Sequence, residues 1–233
     1  YRRYLVGYKR GKYNFTDILS LNKMGWMVGL QMGLETALFS ITGIMIGWLG
    51  SIALAAHQVM VAISTLGFMI YYGVGAAVSV RVSNYFGRQD LLHVRRTTMA
   101  GFHLILCLAV CACTVFLFSR ELIGYLFTTS EEVIRVVSTL VYILLAYQFG
   151  DALQITYANS LRGIGDVISM AVISFIGYFL IAMPVCYICG FVLEWGITGI
   201  WIGYPIGLTL TGVMLCGRYY WKLKTKTQSK EFY

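Results

Sequence analysis

Apolar residues in this chain fall into six long runs, separated by short polar segments: Met24–Leu49, Val59–Val80, Met99–Phe118, Val136–Tyr157, Ile168–Leu193 and Ile197–Gly217. Each run approaches or exceeds the ~20 residues that an α-helix needs to cross a bilayer at 1.5 Å rise per residue. Barrel strands need only about 9–11 residues, so the run lengths favour helices. The pattern predicts an all-α membrane protein with six transmembrane helices at residues 24–217. A basic approach segment (1–23) and a basic tail (218–233) flank them.

Composition supports this reading. The chain is 58% hydrophobic and 12% charged, against about 25% charged residues in soluble domains. The net charge of +8 would suggest a nucleic-acid partner, but its placement argues otherwise. Arg2, Arg3, Lys9, Arg10, Lys12 and Lys23 precede the first run; Arg81, Arg88, Arg95 and Arg96 follow the second. Arg218, Lys222, Lys224, Lys226 and Lys230 follow the last, whereas the intervening connections are neutral or acidic. This alternation matches six spans with both termini cytoplasmic. No nucleic-acid role is expected; the bilayer is the expected partner, and the tail is placed to meet anionic headgroups.

The six cysteines all lie in apolar runs, and Cys186–Cys189 lacks a partner pair, so packing is the expected role. Asn14–Phe15–Thr16 fits a glycosylation acceptor but falls on the expected cytoplasmic side. No cleavable signal is evident, and a start at Tyr1 suggests a piece of a longer chain. Glycines at 25, 29 and 33, at 67, 73 and 75, and at 199, 203, 207 and 212 are expected to admit close helix packing. Pro184 and Pro205 are expected to bend their helices. Trp48, Trp195 and Tyr219–Tyr220–Trp221 are expected at the membrane interfaces.

Two charges break the pattern: Glu35 and Asp151 each sit near the middle of an apolar run. A carboxylate at such a depth costs about 2.5–3.5 kcal/mol on insertion scales, which makes it a functional candidate. Gln31 lies one turn before Glu35, with Thr42 further along. Tyr147 and Gln154 share the face of Asp151. The expected cation-binding and coupling residues are therefore Glu35, Asp151 and Tyr147, with Gln31 and Gln154 lining the cavity. Burial and mutual repulsion disfavour two free carboxylates, so protons, Na⁺ and cationic substrates would compete for them. Oxygen ligands suit Na⁺ better than a transition metal. No cofactor beyond a coupling Na⁺ or H⁺ is expected, and the histidines form no metal-ligand spacing.

Gly163–Ile164–Gly165–Asp166 fits the G-x-G-D pattern of intramembrane aspartyl proteases. That chemistry needs a second aspartate facing the first, and Asp166 sits instead in a short polar loop. Capping of the next helix is the simpler expectation, and no enzymatic activity is expected.

The motifs together resemble the C-terminal half of a multidrug and toxic compound extrusion (MATE) transporter of the NorM type. The resemblance is carried by Gln31–Met–Gly–Leu–Glu35, Ala55–Ala–His–Gln58, Gly75–Ala–Ala–Val–Ser–Val–Arg–Val82, Tyr147–Gln–Phe–Gly–Asp151–Ala–Leu–Gln154, Leu161–Arg–Gly–Ile–Gly–Asp166 and Gly199–Ile–Trp201. It implies one lobe of a two-lobe, twelve-helix transporter in the cell (inner) membrane. It also implies a missing N-terminal lobe as partner, and Na⁺- or H⁺-coupled antiport of small cationic amphipathic drugs. A cation site at Glu35, Asp151 and Tyr147 is implied as well. A Pro that many relatives carry early in the first span is replaced here by Gly25–Trp26–Met27. A related lipid-linked oligosaccharide flippase is the alternative, disfavoured because no basic residue falls within the predicted spans.

Overall fold

The computed structural model describes residues 15–231, with side chains to Lys226. Its long helices are α1 (Phe15–Gly47), α2 (Ser51–Gly87), α3 (Leu91–Phe118), α5 (Glu131–Gly163), α6 (Val167–Val192) and α7 (Gly196–Glu231). A short helix, α4 (Arg120–Phe127), lies between α3 and α5. Among the described residues, six helices are long and apolar enough to cross a membrane, and no strand is present. The basic segment at 1–14 and the Asn14 acceptor lie outside the described residues.

Helix α6 matches its predicted apolar run to within one residue at each end, and the other long helices begin or end well beyond theirs. Helix α1 starts at Phe15 rather than Met24, and α7 continues past Gly217. Hydropathy falls where a helix enters the headgroups, but the backbone hydrogen bonds continue there. The eight residues of α4 were too short to register as a run.

Helices α5 and α7 form the centre, and α1 and α3 lie outside. The larger core joins Leu38, Met60, Val137, Leu144, Trp201, Tyr204 and Leu208. A second core near the basic end joins Val78, Val82, Leu161, Leu215 and Tyr219. Lipid tails are as apolar as leucine, so contact between such helices depends on close packing and hydrogen bonds. Helix α7 supplies the first: a methyl on Gly199, Gly203 or Gly207 would collide with Cys189, Cys186 or Ala182 of α6. Buried hydroxyls supply the second. Thr98 bonds Ser160 at 3.0 Å and Tyr219 at 2.8 Å, and Thr42 pairs with Tyr204. Bonds of this kind contribute about 0.6 kcal/mol each.

Several packing expectations change. A Cβ on Gly25, Gly29, Gly33 or Gly73 would meet nothing within 4 Å, so those glycines carry no helix contact among the described residues. Gly75 instead lies against Asn159 and Ile155. Trp48, Trp195 and Trp221 are exposed as an interfacial belt requires, but Tyr219 is fully buried. Its hydroxyl has an interior partner in Thr98, which explains its place in the core. Around Pro184, α6 widens into π-helical turns at Ile176–Ala182 and Ile188–Val192. These turns accommodate the backbone donor that proline lacks. Among the described residues the six cysteines are free, and His103 hydrogen-bonds the Met99 carbonyl at 2.7 Å.

The Gly163–Asp166 segment is a helix terminus. Asp166 N–H donates to the Leu161 carbonyl at 2.9 Å and Gly165 N–H to that of Arg162 at 3.1 Å. Gly165 has φ +78°, the left-handed residue that this C-terminal motif requires. Asp166 opens α6 but does not cap its backbone. Its carboxylate accepts instead from Ser169 Oγ at 2.9 Å and Arg218 Nε at 2.8 Å. Burial raises the Asp166 carboxyl, but Arg218, Ser169 and Lys222 outweigh it and hold the group below the usual carboxylate range. The Arg162 side chain, four residues earlier, turns to the candidate site instead.

Candidate cation and substrate site

Helices α1, α2 and α5 enclose a cavity of about 250 Å³. Met32, Phe39, Val61, Phe68 and Met69 make its wall mostly apolar, while Glu35, Thr36, Ser64, Thr65 and Tyr147 supply polar atoms. A narrow recess adjoins it, bounded by Gln31, Glu35, Tyr72, Gln154, Asn159 and Arg162. Glu35 borders both spaces.

A hydrogen-bonded chain runs through the recess. Glu35 Oε2 accepts from Gln31 Nε2 at 3.3 Å and from the Tyr178 hydroxyl at 3.3 Å. Tyr178 in turn accepts from Gln154 Nε2 at 2.8 Å. Arg162 closes the far end, with Nη2 reaching Gln31 Oε1 at 3.5 Å and Nη1 reaching Asn159 Oδ1 at 3.3 Å and the Tyr72 hydroxyl at 3.4 Å. Its guanidinium also lies over the Tyr72 ring. Gln31 and Gln154 thus line the recess rather than the larger cavity, and they brace Glu35 from two sides.

Asp151 sits apart from this chain. It is fully buried, and neither carboxylate oxygen has a hydrogen-bond partner. It borders neither space. Tyr147 is the link: it lies one turn before Asp151 on α5 and also forms part of the cavity wall. A dry carboxylate without a counter-charge is costly, and a proton or a small cation removes that cost. Among the described residues no cluster of three His, Cys, Asp or Glu side chains could hold a metal ion. The donor set is two separate carboxylates, phenols and amides, which are hard oxygen donors of the kind Na⁺ takes.

Two participants escaped the sequence reading. Tyr178 lies at the middle of α6, where a phenol in an apolar run needs a partner. Arg162 occupies the last turn of α5, and its position i+3 from Asn159 was the available signal.

The model of the MatE family matches residues 28–188. This chain belongs to the MatE family. It is 34% identical over 220 residues to the multidrug resistance protein NorM of Photobacterium profundum, covering 92% of this chain and 47% of that protein. The NorM of Vibrio cholerae is 33% identical over 214 residues, covering 89% and 47%. The chain therefore spans about half the length of these relatives, both named as multidrug resistance proteins. Among solved structures, the eukaryotic MATE transporter AtDTX14 matches with a TM-score of 0.82 at 20% identity, covering 93% of this chain and 51% of that one. A MATE in complex with MaL6 matches with a TM-score of 0.85 at 14% identity, covering 93% and 49%. The MatE chain described here thus has the fold of one lobe of a two-lobe transporter.

Proposed function

We propose that this lobe is the C-terminal half of a multidrug exporter, and that cation exchange at Asp151 and Glu35 drives efflux. The observation that carries the reading is the bare, fully buried carboxylate of Asp151, one helical turn from the Tyr147 that forms the wall of an apolar cavity. Asp151 would take up Na⁺ or H⁺. Tyr147 and Glu35 would relay that occupancy to a cavity sized and lined for an amphipathic cation. The relatives' names as multidrug resistance proteins support this reading. The basic charge at both ends of the sequence is consistent with this reading, since the positive-inside rule would put both termini on the cytoplasmic side of the membrane. The N-terminal lobe would close the cavity from the other side.

Arg162 bears on the flippase alternative, since it brings a cation to the recess. That cation is already engaged by Gln31, Asn159 and Tyr72 and faces Glu35 rather than the apolar cavity. The balance of charge still favours a cationic substrate over a phosphate.

The test is dye efflux from vesicles carrying the full-length parent protein, with Na⁺ and pH gradients imposed separately, for wild type and Asp151→Asn. Efflux driven by one gradient and lost in the variant supports antiport and identifies the ion. Efflux indifferent to both gradients, or intact in the variant, contradicts it.

A further inference from the structure

Helix α2 has two working faces. Val61, Thr65, Phe68 and Tyr72 recur at helical spacing and turn toward the candidate site. Val74, Ala77, Arg81 and Tyr85 recur at the same spacing and border a second groove, of about 380 Å³, shared with α3. Val74 lies two positions after Tyr72, which is about 200° around a helix, so this groove lies on the side of α2 away from the candidate site. The outer surface of α3 beside it is apolar and exposed, with Leu104 52% and Val110 48% accessible. That is the surface of a helix facing lipid.

The groove changes character along its length. Its floor is tight, because a methyl on Gly101 would collide with Val78. The small side chains of Ala77 and Ala100 keep it open above that floor. One end is walled by Val74, Ala77, Ala100 and Leu104; the other is walled by Arg81, Arg96, His93 and Tyr85. His93 stacks on Tyr85 with ring centroids 5.1 Å apart.

Both arginines are exposed, and among the described residues neither forms an ion pair. The carboxylate in the turn between α2 and α3, Asp90, is already committed. It accepts from the His93 N–H at 3.1 Å, at the start of α3, and contacts His93 Nδ1 at 2.7 Å. Arg96 lies within its field without pairing. The result is two guanidinium groups at the mouth of an apolar trough, near the ends of two helices long and apolar enough to cross a membrane.

We propose that this groove binds an anionic phospholipid, with its phosphate on Arg81 and Arg96 and one acyl chain along Val74, Ala77, Ala100 and Leu104. Neither half of the site suffices alone. The arginines would hold any phosphate, and the trough would hold any chain; together they select a lipid that carries net negative charge.

The test uses the purified full-length transporter and native mass spectrometry, with titrations of phosphatidylglycerol, phosphatidylcholine and inorganic phosphate. Phosphatidylglycerol should bind on the order of tenfold more tightly than phosphatidylcholine, and Arg81→Ala with Arg96→Ala should remove that preference. Arg88→Ala, in the turn between α2 and α3 but outside the groove, should leave it intact. Ala100→Phe, which fills the trough, should weaken both lipids. If the double variant fails to fold, Arg96→Gln and Ala100→Phe provide the same reading. Equal binding of the two lipids, an undiminished preference in the arginine variants, or phosphate competing as well as the whole lipid would each overturn the proposal. The last result would indicate a soluble anion instead.

Discussion

Glu35 and Asp151 are both acids in the middle of a membrane helix, and the fold treats them differently. Glu35 is half-buried, borders both the cavity and the recess, and accepts hydrogen bonds from Gln31 and Tyr178. Asp151 is fully buried and accepts none. One carboxylate is tied by hydrogen bonds to its neighbours, while the other has none. The difference suggests a division of labour. Under the proposed function, Asp151 would exchange the ion and Glu35 would report the exchange to the cavity through its hydrogen-bonded chain.

The largest expected effect comes from removing the ionisable group that lacks partners. Asp151→Asn should lower gradient-driven efflux by at least about tenfold, while Glu35→Gln should retain part of it. Equal loss in both variants would erase the distinction.

Stability should separate the two acids next, and in opposite directions. Asp151→Leu removes a buried polar group that has no bonds, so the full-length protein should gain about 1–3 kcal/mol in Na⁺-free thermal unfolding. Glu35→Leu leaves Gln31 and Tyr178 without their acceptor and should cost a similar amount. The melting temperatures of the two variants check this directly.

A smaller effect tests the relay. Tyr178→Phe keeps the ring and removes the hydroxyl between Gln154 and Glu35. A loss of about 1 kcal/mol is expected, read as a severalfold drop in efflux with ion binding retained. A drop in ion binding instead would place Tyr178 with Asp151.

The smallest effect lies outside the membrane. Arg218 and Lys222 hold the Asp166 carboxyl low, so its contribution is full above the ordinary value near 4 and fades as pH falls through the depressed folded value. Asp166→Asn should therefore cost under about 1 kcal/mol at pH 7 and nothing once the pH lies below that depressed folded value. Denaturation at both pH values measures the difference.

How far the sequence revealed this site follows from the kind of signal each residue gives. Glu35 and Asp151 stood out because a charge in an apolar run is costly. Gln31, Tyr147 and Gln154 followed from helical spacing. Tyr178 is one of 17 tyrosines, and no local feature separates a phenol bound to a carboxylate from one packed in a core. Arg162 was assigned to a loop because apolarity ends before its helix does. Tyr219 was placed at the interface for the same reason: sequence position gives depth in the membrane but not the direction in which a side chain points. The six spans were legible, and α4 was not, because hydropathy registers length before anything else. The unequal surroundings of the two acids depend on contacts between distant helices, which spacing along one helix cannot reveal.

The most direct test is infrared difference spectroscopy of the full-length transporter, following carboxyl bands as Na⁺ is added or pH is raised. The account predicts a carboxyl change in wild type that persists in Glu35→Gln and disappears in Asp151→Asn. A change that survives in Asp151→Asn and vanishes in Glu35→Gln would contradict it, and would make the supported carboxylate the one that exchanges the ion.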